Sequence, residues 1–163
     1  MSFFRSLKGS YESIISTGNF LQHLFLLLIR LYWGYLFQAA GFYKFEHLRE
    51  TAAGFSEIGI PLSHIMVYLV AAIEFVGGWS LILGLGSRLF SIPLIIVMII
   101  ALFTAHYSEA SLALIEPSKF MAAAPITFLF TSLIVFLFGP GWISFDYLIE
   151  TIFFRKKNSE KDS

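Results

Sequence analysis

The sequence has no cysteine among its 163 residues. That excludes disulfides, thiol redox chemistry and thiolate metal sites, and it leaves the compartment open. Charge is scarce as well. Asp, Glu, Lys and Arg make up 13% of the chain, against about 25% in an ordinary soluble domain. The 11 basic and 11 acidic residues cancel, so nothing in the total charge points to a nucleic-acid partner. The histidines show neither HxxxH nor HExxH spacing, and no metal site is predicted. "GLGS" at 84–87 has no strand before it and lacks the G-x-G-x-x-G spacing of a phosphate loop. No Ser–His–Asp arrangement can be placed, and no cofactor fingerprint is evident. The first residues, "MSFFRSLKGSYESIISTGN", lack a compact apolar core followed by a small-residue cleavage site. The first apolar helix is therefore expected to serve as an uncleaved insertion signal.

What the chain has in abundance is apolar residues, at 57% with 18% aromatic, and its mean hydropathy is +0.76. Four segments qualify as the roughly 20 largely apolar residues needed to span a bilayer: about 22–43, 64–84, 88–107 and 120–138. Short connections imply antiparallel neighbours. Backbone groups in lipid must be satisfied internally, which favours helices. The predicted fold is all-α, an integral membrane four-helix bundle with interfacial amphipathic segments at both termini. Its expected parts are an amphipathic segment at 1–19, a transmembrane domain at 20–150 and a basic tail at 151–163.

In the first segment Phe3, Phe4, Leu7, Tyr11, Ile14 and Ile15 recur at helical spacing among polar residues, a pattern suited to a membrane surface. Thr17-Gly18-Asn19 is expected to interrupt it. At the other end Gly139-Pro140-Gly141 forces a turn and Ser144 can cap a short helix. Phe145, Leu148, Ile149 and Ile152 are then expected to face lipid. The tail "RKKNSEKDS" is expected to be disordered and to favour an anionic leaflet. Trp33, Trp79 and Trp142 fall near helix ends or packing faces, as aromatic belts do. Pro93 and Pro125 are each read as lying near a helix start.

Orientation follows from Lys and Arg. With four spans, Arg5, Lys8, Arg88, Arg155, Lys156, Lys157 and Lys161 share one side, and Lys44, Arg49 and Lys119 the other. The positive-inside rule puts both termini in the cytoplasm.

Two charges remain inside spans, Arg30 and Glu74. A charge at a helix centre costs about 2.5–3.5 kcal/mol on insertion scales, so each should face protein and have a partner. Ala71, Gly77 and Gly78 share a helix face with Glu74, and Gly34, Gln38 and Gly41 continue the face of Arg30. Small residues there admit a close neighbour. Counted from one membrane face, Arg30 lies about 12 Å deep and Glu74 about 15 Å. An Arg30–Glu74 ion pair is therefore predicted, either as a functional site or as a clasp that fixes helix register. A second group, Lys44, His47, His64, His106 and Glu109, falls at helix ends on the opposite side. Either it is ordinary interfacial polarity, or His106 and Lys44 hold an anionic or quinone-like headgroup. His23 is read as interfacial.

These residues resemble the DoxX family of small four-helix membrane proteins. The resemblance rests on "IRLYWGYLFQAAGFYKF" with Arg30, Gly34, Gly41 and Lys44; on "AAGFSEIGIPLS" with Gly59 and Pro61; on "IEFVGGWSLILGLGSR" with Glu74, Gly77, Gly78, Gly84 and Arg88; and on "FGPGWISFDYLI" with Gly139, Pro140, Gly141, Ser144 and Asp146. It covers most of the chain, from about 26 to 150. Where relatives often carry a Lys-Asn pair ahead of the Gly-Pro-Gly turn, this chain reads Ala124-Pro125, with Lys119 earlier. The resemblance implies a four-helix bundle in the bacterial cytoplasmic membrane and a loose link to quinone-dependent redox chemistry. On that reading the protein is an accessory subunit beside a soluble redox partner, with the lipid bilayer around it and quinone as the ligand. The alternatives are a small transporter or export helper, which would need a homo-oligomer to form a pathway, and a non-catalytic scaffold. A lone enzyme has no visible nucleophile, metal cluster or cofactor motif to rest on.

Overall fold

The computed structural model describes the backbone of residues 2–159 and the side chains of residues 11–152. All regular structure there is helical: α1 (Ser2–Glu46), α2 (Leu48–Glu57), α3 (Ser63–Leu83), α4 (Ser87–Phe103), α5 (Tyr107–Ser111), α6 (Pro117–Ala122), α7 (Ala124–Phe138) and α8 (Phe145–Ser159). Two helices are long and apolar enough to cross a membrane, Tyr11–Glu46 within α1 and Ser63–Leu83, while Ser87–Phe103 and Ala124–Phe138 are shorter apolar helices.

Helix α1 packs most extensively on α3 and α4 on α7; α3 also packs on α4, and α7 returns to α1. The α1–α3 crossing depends on missing side chains. A Cβ on Gly78 would collide with the Gln38 amide and Gly34 carbonyl, and one on Gly41 with the backbone of Phe75 and Ala71. These contacts run in opposite directions along the two helices, so α1 and α3 are antiparallel. Backbones that approach this closely gain dispersion contact, which drives helix association in lipid, where the hydrophobic effect gives no help. On the far side of α3, Gly77 lets Leu94 of α4 in. Phe37, Leu81, Leu94, Val97, Met98 and Val135 form the buried core, and Leu102, Ala123 and Ile126 form a smaller one. Apolar side chains also cover the outside, among them Leu28, Leu31, Tyr35, Leu69, Leu89, Ile96, Phe103 and Leu137.

Several expectations need correction. The Thr17-Gly18-Asn19 stretch does not interrupt α1, which is continuous. One glycine costs a helix only about 1 kcal/mol, and the Thr17 hydroxyl donates to the Ser13 carbonyl and stays within the helix. The side chains of Phe3, Phe4 and Leu7 lie outside the described residues. The third helix ends at Phe103, short of Tyr107. The fourth begins at Ala124, after an extended Ala123, with Pro125 at the second helical position. Pro125 does sit in the first turn, whereas Pro93 lies inside α4, where it deprives the Leu89 carbonyl of its helical donor. The connection from 104 to 123 folds into the short helices α5 and α6. Helix α8 extends to Ser159, into the segment expected to be disordered; the last four residues lie outside the described ones. The Ser144 cap is present: its Oγ accepts from the Tyr147 amide at 3.2 Å and donates to the Gly141 carbonyl at 2.7 Å. Phe145, Leu148, Ile149 and Ile152 are exposed.

Candidate functional site: a charge pair on the wall of an apolar cavity

Arg30 and Glu74 are both buried, at 1% and 4% exposure, but they do not pair with each other. Register is the reason. Gly34 meets Gly78 and Ile82, so Arg30, one turn further from the crossing, lies level with the last turn of α3. Leu81 and Ile82 are roughly 11 Å along α3 from Glu74. The depth estimate failed because α1 continues well past the end of α3, so counting from the start of its apolar run misplaced Arg30.

What meets Arg30 instead is a set of carbonyls. Nε donates to Leu81 O at 2.8 Å and Nη2 to Ile82 O at 3.3 Å; Nη1 donates to Pro140 O and, at 3.0 Å, to Ile143 O. The last carbonyls of a helix have no partner within it and carry the negative end of the helix dipole. A guanidinium has five donors in a rigid fork, so one side chain ties the end of α3 to the turn after α7. Gly84 makes room. Its φ is +68°, and a Cβ there would strike the Arg30 guanidinium and Ser144. Asp146 completes the arrangement: its carboxylate accepts from the Gly86 amide at 2.7 Å and the Ser87 amide at 3.3 Å, at the start of α4, and its charge acts on Arg30. Arg88 is exposed, with its guanidinium against Gly139. His23 stacks on Trp142 at 4.0 Å, with its Nδ1 buried and unpartnered among the described residues. Sequence reasoning missed the carbonyl set. The signal available was Gly84 together with Gly-Pro-Gly, two chain turns that leave carbonyls exposed near a buried arginine.

Glu74 takes its partner from the other direction. Lys44, one turn beyond Gly41 on α1, reaches back to place Nζ 2.5 Å from Oε2. Both residues line a partly open cavity of about 460 Å³ between α1, α2, α3, α4 and α7. Its walls are apolar, with Phe37 and Ala40 of α1, Phe55 of α2, Val70 and Ile73 of α3, Pro93, Val97 and Ala101 of α4, and Phe128 of α7. Besides Lys44 and Glu74, its polar residues are Thr104 and His106. The volume is within the usual range for small-molecule sites, about 300–1,000 Å³.

The second predicted group is thus only partly assembled. Lys44 and His106 line the same cavity, and Glu109 lies 3.8 Å from His106 Nδ1 at the edge. The Ser108 hydroxyl, 2.7 Å from Glu109 Oε2, holds that carboxyl below the usual range, with smaller contributions from the backbone and His106. His47 does not join them: it stacks on Tyr43 at 4.2 Å. His64 is exposed near the start of α3. Lys119 is tied to Glu116 on the surface, at 2.7 Å.

Described residues whose regular structure is all helical, with long apolar helices, a part-buried lysine–carboxylate pair between two of them and an apolar chamber beside it, define a class of small membrane-type helical proteins. Within that class the comparisons are specific. A model of the DoxX family matches residues 25–107, just over half of the chain. A protein of Bacillus subtilis (strain 168) named "Putative oxidoreductase CatD" is 30% identical over 134 residues, spanning 81% of this chain and 90% of the relative. No solved structure matches significantly. The chain belongs to the DoxX family.

Proposed function

We propose that this protein is a four-span bundle in the bacterial cytoplasmic membrane, with both termini in the cytoplasm, acting as an accessory subunit of a quinone-linked redox system. The spans are α1, α3, α4 and α7. The single observation that carries the reading is the Lys44–Glu74 pair set into the wall of a ligand-sized apolar cavity. A buried pair that only fixed packing would be expected in a filled interior, since interiors leave few voids. Here the charges border open space, as they do in sites where an ionisable group meets a ligand. The outward-facing apolar residues on every long helix support a lipid surrounding, since a soluble surface rarely carries such continuous apolar area. A relative named as an oxidoreductase favours redox chemistry over transport. The soluble partner supplies the catalytic centre, and the bundle presents the lipid-borne reactant.

The test is photolabelling in native membranes with an azido-quinone, followed by mapping of the labelled peptides. Labelling concentrated on the segments around residues 37–44, 70–74 and 97–106, and reduced by excess unlabelled quinone, is expected. Labelling that spreads evenly over lipid-facing positions, with no competition, would remove the quinone from the reading.

A further inference from the structure

The cavity holds polar atoms that the protein does not use. Lys44 carries three N–H donors, and among the described residues one is engaged, by Oε2 of Glu74. The other carboxylate oxygen, Oε1, accepts no hydrogen bond among the described residues. Neither residue has a polar atom that is both sealed and unpartnered; that condition belongs to His23 Nδ1. Oε1, unpartnered but not sealed, therefore touches open space, the Lys44 side chain is 20% exposed, and the space the two residues share is the cavity.

Charge then limits the ligand. The pair is neutral as a unit, and the rest of the wall is apolar apart from Thr104 and His106, the latter already 3.8 Å from the Glu109 carboxylate. An anionic ligand would add an uncompensated charge there at large cost, so the ligand is neutral. Hydrogen-bond inventory limits it further. A carbonyl or ether oxygen can accept from Lys44 but offers nothing to Oε1. A hydroxyl on an aromatic ring does both: its oxygen accepts from Nζ and its hydrogen is donated to Oε1. Phe37, Phe55 and Phe128 line the chamber, and aromatic walls of this kind favour an aromatic ring by edge and stacked contacts.

We propose that the cavity binds a neutral aromatic alcohol, a phenol or the hydroxyl-bearing reduced form of a quinone, with its hydroxyl bridging Lys44 Nζ and Glu74 Oε1. This rests on the quinone-linked reading only for the choice of hydroquinone as the natural ligand, and it adds that the reduced form is preferred over the oxidised one.

The experiment is calorimetric titration of the full chain in nanodiscs, with empty nanodiscs subtracted, using 1-naphthol, 1-methoxynaphthalene and 1,4-naphthoquinone as probes. Expected is binding of 1-naphthol about tenfold or more tighter than either of the others, the scale of one buried hydrogen-bonding group left unmatched. The preference should disappear in the Lys44→Met, Glu74→Met double variant, checked for folding by gel filtration. Equal affinity of naphthol and its methyl ether for the wild-type protein overturns the proposal without recourse to any variant. Tighter binding of naphthoquinone than naphthol also overturns it, yet leaves the quinone-linked reading standing. Binding of none of the three above empty nanodiscs overturns it and takes the cavity out of the quinone reading as well.

Discussion

Lys44 and Glu74 face each other across the α1–α3 crossing, with Nζ 2.5 Å from Oε2, in the layer where Gly41 lets α1 touch the backbone of α3. The glycine brings the two helices close enough for the lysine to turn back along α1 and reach the carboxylate. The ion pair and the close crossing are therefore one device. Its first consequence concerns stability. Removing one partner of a buried pair leaves the other uncompensated and typically costs about 3–5 kcal/mol, while replacing both by apolar groups is often neutral. Lys44→Met and Glu74→Met should each lower the thermal midpoint in detergent substantially, and the double variant should return close to wild type. Additive losses in the double variant would mean that the two side chains act independently.

The carbonyl set around Arg30 makes a prediction about geometry more than charge. Arg30→Lys keeps the charge but offers three donors at one atom in place of a planar fork. It cannot serve Leu81, Ile82, Pro140 and Ile143 together. Each hydrogen bond to a charged group that goes unreplaced is worth about 1.5–3 kcal/mol. Arg30→Lys should therefore lose most of the stability lost by Arg30→Gln in thermal unfolding of the purified protein. If the lysine variant unfolds like wild type, the arginine acts as a point charge toward Asp146 and the carbonyl contacts carry little.

Two glycines give a matched contrast. Gly84 has φ of +68°, and its Cβ position is filled by the Arg30 guanidinium and Ser144; Gly54 lies within α2 with nothing in 4 Å of that position. Left-handed backbone alone costs an L-residue about 1–2 kcal/mol, and the steric conflict adds to it. A helical glycine replaced by alanine gains up to about 1 kcal/mol. Gly84→Ala should unfold at a lower temperature than wild type, and Gly54→Ala at the same or a higher one. A tolerated Gly84→Ala would show that Arg30 can withdraw without penalty.

These sites also mark how far the residues alone could be read. The packing faces were legible: Gly34 and Gly41 on one helix, Ala71 and Gly78 on the other, fall at spacings that produce a stripe of small residues. The burial of both Arg30 and Glu74 followed from the cost of placing charge in lipid, and the Ser144 cap from its position after Gly-Pro-Gly. What could not be read was register between helices. Choosing Arg30 or Lys44 as the partner of Glu74 turns on which residues of α1 lie opposite Gly78, and periodicity within one helix contains no such information. Nor could the role of Asp146 be derived from its neighbours, because it serves amides about sixty positions earlier in the chain. The cavity is invisible in the sequence for the same reason: it is made by five helices that leave a space between them.

The absence of cysteine allows the membrane arrangement to be tested without background. Leu85 is exposed in the turn between α3 and α4, and Ser111 is exposed at the end of α5, at the opposite end of the long helices. With the termini cytoplasmic, a membrane-impermeant maleimide should label Ser111→Cys in intact spheroplasts and Leu85→Cys only after permeabilisation. The reverse pattern would invert the orientation, and labelling of both from outside would remove the four-span arrangement.

The last prediction separates a ligand site from a scaffold. Ala101 of α4 lines the same cavity, so Ala101→Phe fills space while leaving the Lys44 and Glu74 side chains in place. Extra buried apolar volume placed in an existing void gains contacts instead of forcing neighbours apart, and cavity filling commonly adds about 0.5–2 kcal/mol. If the bundle only holds other proteins together, this variant should be at least as stable as wild type and fully functional. If the chamber receives a ligand, the variant should be equally stable and should lose quinone photolabelling together with cellular redox activity. Thermal unfolding and the labelling assay, measured on the same preparation, distinguish the two. A variant that is stable and retains competitive labelling would move the ligand out of this chamber.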